Sequence, residues 1–154
     1  AATGKSVESL VRAHWATYGR NYYSRHDYEA VESAAAEALM AGLRAQLPTL
    51  VGQEMQGLRI ALADDFSYTD PVDGSVSHKQ GIRLIFENGS RVVYRLSGTG
   101  TEGATLRVYL ELYEPEVSKQ DIPTQTALAP LIAIAESVAN ITALTGRSEP
   151  SVVT

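Results

Sequence analysis

The sequence predicts an α+β fold: a four-to-five-stranded antiparallel sheet with two helices on one face and one more helix at the N-terminus. Three observations carry this prediction. Apolar residues recur at helical spacing in two early segments, alternate with a period of two from Leu58 onward, and return to helical spacing after Pro123. The stretches "DPVDGS" and "NGS" and a glycine loop divide the alternating part into four strands. A length of 154 residues is enough for one buried core and short for two ordinary domains.

Val7, Leu10, Val11, His14, Trp15 and Tyr18 share one helical face, with Ser6 as N-cap and Gly19 where a helix-ending glycine belongs. "RNYYSRHDY" then reads as a strand. Asp27 is placed to cap a second helix whose face carries Val31, Ala35, Leu39, Leu43 and Leu47, and Pro48 is read as its end. "LRIALADDFSY", "GIRLIF", "RVVYRLS" and "ATLRVYLELYE" are the four later strands. A final helix is predicted from about Pro123 to Thr145, kinked at Pro130 and stopped by Gly146. Both long helices most simply cover one face of the sheet.

A formal charge of −5 and a pI near 5.2 give no general attraction for polyanions, so nucleic acid is not an expected partner. There is no cysteine, which removes disulfides and thiolate metal sites and fits a reducing compartment; a cytoplasmic location is the expectation. No run of about 18 apolar residues occurs, so no membrane partner is expected either. The chain opens at Ala1 and enters a helical pattern almost at once, as a cut piece would.

Several motifs invite chemistry and fail on context. Gly98, Gly100 and Gly103 match G-x-G-x-x-G, but a strand follows the third glycine where a dinucleotide site needs a helix N-terminus. "TGKS" at Thr3 to Ser6 imitates the end of a P-loop, and helix-start chemistry explains it better. Asp64, Asp65, Asp70 and Asp73 lack calcium-loop spacing. His14, His26 and His78 have no ligand spacing for zinc. Ser97 has no evident base and does not sit on a strand-to-helix elbow, which favours a hydrogen-bonding role over a nucleophilic one.

The segment "RLSGTGTEGATLR", Arg95 to Arg107, is more informative. Its glycines permit positive φ and expose backbone N–H groups, Ser97 and Thr99 add hydroxyls, and Arg95 and Arg107 offer forked, charged donors. Residue types alone leave two readings open, a phosphate nest and a glycine hairpin with two surface arginines. Strand parity favours the nest, because if Val92, Tyr94, Leu96 and Leu106, Val108, Leu110 share a face, then Arg95, Ser97 and Arg107 share the other. Against it stands Asn88-Gly89: a two-residue turn there would put Ile82 and Leu84 on the face of Arg95, unless a bulge intervenes.

"GSRVVYRLSGTGTEGATLRVYLELYE" closely resembles the C-terminal phosphate-binding loop of phosphoglucomutases in the α-D-phosphohexomutase superfamily. "HWATYGRNYYSRHDYE", "YTDPVDGSVSHKQGIRLIF", "LAPLIAIA" and "TGRSEPSVVT" extend the resemblance over essentially the whole chain. It implies a β-α-β-β-β-β-α order like that of the TATA-binding protein, with residues 1–19 as a helix ending the preceding, third domain and 20–154 as the C-terminal phosphate-binding domain. The family's phosphoserine, magnesium and sugar-selecting motifs are absent here, so no catalytic or metal-binding residue is expected and the chain alone is expected to be inactive. The intact parent implied is an intramolecular phosphotransferase, an isomerase and phosphoprotein of carbohydrate metabolism. It interconverts glucose 1-phosphate and glucose 6-phosphate with magnesium and glucose 1,6-bisphosphate.

By that resemblance the partners are a sugar phosphate and the missing N-terminal domains of the same enzyme. Arg95, Ser97, Gly98, Thr99 and Arg107 would bind the phosphate that is not being transferred, and Arg20 and Arg25 lie in matched sequence that would face the cleft. The alternative is a free-standing, non-catalytic anion-binding module.

Overall fold

The structure, a computed structural model, describes residues 4–100 and 103–154, the side chain of Thr99 excepted. Helix α1 (Val7–Tyr18) starts where the sequence places it: Ser6 Oγ accepts from Ser9 N at 3.1 Å, and Gly19 N donates to Trp15 O at 2.8 Å. None of its residues is buried, and Val7 and Tyr18 are 78% and 66% exposed. The helix is tied down at its C-terminal end, where Gln120 Nε2 donates to Trp15 O and Tyr113 Oη donates to Tyr18 O.

Strand β1 (Arg20–Val31) runs straight through Asp27, so Asp27 is not a helix cap. The strand ends with a bulge after Tyr28, where Ala30 adopts φ +51°. The carboxylate of Glu32 caps helix α2 (Ser33–Leu50), accepting from Ala34 N and Ala35 N at 3.1 and 2.9 Å. Pro48 does not end α2. It falls in the last turn, where the lost bond affects only one turn, and Leu50 beyond it is buried in the core.

The sheet has seven strands in the order β2-β3-β4-β5-β6-β1-β7: β2 (Glu54–Met55), β3 (Leu58–Thr69), β4 (Val76–Phe86), β5 (Arg91–Gly100), β6 (Gly103–Glu114), β1, and β7 (Val152–Val153). The excess over the predicted four to five is two strands of two residues each, too short to leave a periodic signal. The predicted final helix is three: α3 (Thr124–Ala127), α4 (Ala129–Ala139) and α5 (Ile141–Thr145). Pro130 lies in the first turn of α4, where its missing N–H costs nothing, and Asn140 at φ +48° separates α4 from α5.

One face of the sheet packs on the helices. Leu39 and Leu43 of α2 and Leu131 and Ile134 of α4 join Ile82, Leu84, Val92, Tyr94, Leu106 and Val108, all at most 1% exposed. Each such side chain contributes about 1.5–3 kcal/mol by leaving water.

The conflict posed by Asn88-Gly89 is resolved by loop length. Glu87, Asn88 and Gly89 form a three-residue loop: Gly89 N donates to Phe86 O, Phe86 N donates to Ser90 O, both at 2.9 Å, and Gly89 takes φ +84°. The extra residue shifts the parity by one, so Ile82 pairs with Tyr94 and Leu84 with Val92 on the buried face.

Candidate functional site

Alternation along β5 and β6 puts Arg95, Ser97, Thr105 and Arg107 on the face away from the helices. The ladder pairs them directly: Arg95 stands opposite Arg107 and Ser97 opposite Thr105, while Leu96 and Leu106 between them point to the core. The predicted grouping of Arg95, Ser97 and Arg107 is therefore present. Past Ser97 the register shifts, and Gly98 takes φ +65°, a conformation that side-chain-bearing residues disfavour. Thr99 belongs to β5, but its side chain is outside the described residues.

Two like charges directly across a ladder repel, and the two arginines lean apart. The stem of Arg95 lies over Gly81 of β4, where a Cβ would stand 2.9 Å from Arg95 Cγ. Arg107 leans the other way, its Nε 3.7 Å from Asp27 Oδ2 on β1. Arg25, two residues before Asp27 on the same face, brings its Nε within 2.9 Å of Asp27 Oδ1. Neither approach is aligned as a hydrogen bond, so these are ionic contacts without a directed N–H. The Asp27 side chain is 5% exposed, those of Arg25 and Arg107 35% and 37%. The result is a row across three strands, Arg25 and Asp27 on β1, Arg107 on β6 and Arg95 on β5.

Arg95 has no ion-pair partner among the described residues, unlike the other arginines around it. A cavity of about 490 Å³ on this face is walled by Phe66, Tyr68, Arg83, Arg91, Arg95 and Tyr109. In it Arg83 is held by both oxygens of Asp64 at 3.0 and 2.6 Å, and Arg91 pairs with Glu111. The bond to Asp64 raises the Arg83 guanidinium above its ordinary range, so this cation is locked as well as charged. A second cavity, about 450 Å³, reaches Arg95 from the side of α2, beside Lys79 and Gln80. Arg44 there is paired with Asp65 at 2.7 Å.

Arg20 is not part of this row. It pairs with Glu114 at the other end of β1, seven residues from Asp27 and so about 23 Å along the strand. Its guanidinium lies between the rings of Trp15 and Tyr22, 4.2 and 4.0 Å from their centroids, and donates to Gln120 O. It fastens α1 to the sheet. Sequence reasoning assigned Asp27 to a cap and so missed it as the carboxylate between two site arginines; the available signal was its period-two spacing from Arg25. Among the described residues, no three His, Cys, Asp or Glu side chains are grouped as metal ligands.

A family profile described as "Phosphoglucomutase-1, C-terminal domain" matches residues 20–151. A phosphoglucomutase of Rhizobium radiobacter is 59% identical over 154 residues, all of this chain and 28% of the relative. A chloroplastic phosphoglucomutase of Solanum tuberosum is 51% identical over 150 residues, 97% of this chain and 24% of its own length. The crystal structure of the open form of the exocytosis-sensitive phosphoprotein pp63/parafusin, a phosphoglucomutase from Paramecium, superposes with a TM-score of 0.86 at 43% identity, covering 99% of this chain and 26% of that one. This chain thus spans about a quarter of the length of the curated relatives it matches. With a matching C-terminal-domain profile over most of its length and the same fold in a solved relative, the chain belongs to the phosphoglucomutase family.

Proposed function

We propose that this domain grips the phosphate that is not being transferred while a phosphoglucomutase interconverts glucose 1-phosphate and glucose 6-phosphate. The observation that carries the reading is the facing pair of Arg95 and Arg107, with Arg95 left without a carboxylate among the described residues while its neighbours Arg83 and Arg91 are neutralised. Two unlike placements of one charge type, repelling each other across a ladder, become favourable when an anion sits between them. Ser97 and the backbone around Gly98 add uncharged donors beside them.

In the reaction proposed, a phosphoserine gives its phosphoryl group to the free hydroxyl of the sugar phosphate. The resulting bisphosphate turns round, and its other phosphoryl group returns to the serine. A site that meets either end of that bisphosphate in turn has to recognise phosphate rather than sugar, and arginines and backbone N–H groups do so. The phosphoserine, the magnesium and the sugar-selecting contacts belong in this reading to the rest of the enzyme. Residues 1–19 are read as the end of the preceding domain, supported by the exposed apolar residues of α1. Compartment varies within the family, since the potato relative is named chloroplastic.

The test is a titration of the 154-residue chain with inorganic phosphate, followed by backbone amide NMR. Binding is expected at roughly millimolar strength, because the ordering cost is unshared and the sugar contacts are missing. Salt should weaken it, and the largest shifts should fall at Ser97 to Gly103. Shifts elsewhere with a still loop would overturn the reading. The same chain should show no conversion of glucose 1-phosphate in a coupled assay with magnesium and glucose 1,6-bisphosphate.

A further inference from the structure

We infer that Asp27 is a positioning residue for the anion site: its buried carboxylate fixes the guanidinium of Arg107, and with it Arg25, so that their outer N–H groups face an incoming phosphate. The inference rests on the phosphate reading and extends it to a residue that does not touch the ligand. The backbone of Asp27 is held on both sides, by Arg107 of β6 and by Val152 of β7, and Ser151 N donates to Asp27 O at 2.8 Å. Its carboxylate therefore projects from a clamped strand and has little freedom. Both arginines present Nε to it, 2.9 Å from Arg25 and 3.7 Å from Arg107, and both of these Nε atoms are buried. An arginine engaged through Nε leaves its two terminal nitrogens for a second, outward partner. That is the geometry a forked phosphate contact requires.

The loose fit of the row points the same way. Asp27 Oδ1 and the two Nε atoms are buried without a directed hydrogen bond among the described residues, a costly arrangement for a cluster whose only task is to stabilise the fold. A second anion drawn against the outer edge of Arg107 would neutralise the surplus of positive charge in the row.

The sign of one measurement separates this from simple electrostatics. Asp27→Asn removes a negative charge beside an anion site, so a purely Coulombic role predicts tighter phosphate binding. Positioning predicts the reverse. In the 154-residue chain, titrated with inorganic phosphate and followed by amide NMR, Asp27→Asn is expected to weaken binding about threefold or more, the scale of misplacing one charge-assisted contact. That loss should shrink in an Arg107→Ala background, leaving only the share that runs through Arg25, and persist in full in an Arg95→Ala background. Arg107→Lys keeps the charge without the fork and should bind about as weakly as Arg107→Ala, which tests orientation even if Asp27→Asn does not fold.

Unchanged or tighter binding by Asp27→Asn, with Arg107→Ala still weak, would overturn the positioning role and leave the phosphate reading standing. Wild-type affinity in Arg107→Lys would do the same. If Arg95→Ala and Arg107→Ala both bind like the unaltered chain, the phosphate reading itself fails and this inference falls with it.

Discussion

The two faces of strands β5 and β6 are made by alternate residues of the same short runs, yet they follow opposite rules. On the helix side Val92, Tyr94 and Leu106 are fully buried in a core of mainly apolar side chains. On the other side Arg95, Ser97, Thr105 and Arg107 form a polar row that contains a repelling pair. One face excludes water, and the other carries two like charges opposite each other. If the outer row holds phosphate as proposed, stability and anion recognition are interleaved at single-residue spacing, and a substitution one position along changes which property is lost.

The largest effect on the fold should come from Leu106→Ala. Removing a fully buried leucine between the two arginine positions is expected to cost about 2–5 kcal/mol in urea unfolding. Phosphate affinity of the molecules that stay folded should be nearly unchanged. A large loss of affinity at full folding would show that the faces are coupled.

Gly81→Ala attacks the outer face from the neighbouring strand. A Cβ there would stand 2.9 Å from Tyr94 O as well as from Arg95 Cγ, so overpacking of about 1–3 kcal/mol is expected together with displaced Arg95 and weaker phosphate binding. This variant should damage both properties at once, and intact phosphate affinity would mean that Arg95 does not need its present path.

Tyr94 tests the inner face by pH. Its hydroxyl donates to Ala135 O at 3.1 Å, and burial, followed by the charge of Glu136 and the nearby Tyr28, pushes the phenol far above its usual range. Above about pH 10 the unfolded chain loses a proton that the folded chain keeps, so stability is full below that pH and falls as pH rises further. Tyr94→Phe should cost about 0.5–1.5 kcal/mol near neutrality and flatten part of the alkaline decline, as read from urea midpoints at pH 8 and pH 11. An unaltered slope would show that other groups, Tyr28 among them, carry the effect.

The smallest change in stability is expected from Arg95→Ala, within about 0.5 kcal/mol, because the side chain is exposed and unpaired among the described residues. Its phosphate binding should nevertheless be weakened several-fold. This is the mirror of Leu106→Ala, and a variant that is both less stable and still able to bind would erase the distinction between the faces.

The alternation that creates the two faces was readable because period two is a local property of the chain, and so were the partnership of Arg95 with Ser97 and Arg107 and the cap at Ser6. What escaped was set by distant contacts or by one residue of loop length. Asn88-Gly89 looks like a two-residue turn, and only the third loop residue brings Ile82 and Leu84 to the core side. Asp27 has a capping residue's chemistry, but pairing with Arg107 and Val152 keeps it in a strand. Val152–Val153 carries no periodic signal at all, because two residues become a strand only when β1 offers an edge. Arg20 shares its chemistry with Arg25, and nothing local says that one stacks on Trp15 while the other meets Asp27.

The sheet order has a consequence for the sequence of events in folding. The first strand in this sequence, β1, has no neighbour from its own half of the chain; it sits between β6 and β7, the last two strands in the order. The run from β3 to β6 closes by short hairpins, whereas β1 must wait for a long loop to close, which is entropically costly and slow. On loop-closure grounds Asp27 and Arg25 are expected to reach Arg107 after the hairpins are in place. A chain halted before that step would already have its core strands paired and its two facing arginines in register, but without the carboxylate that flanks Arg107 on its other side.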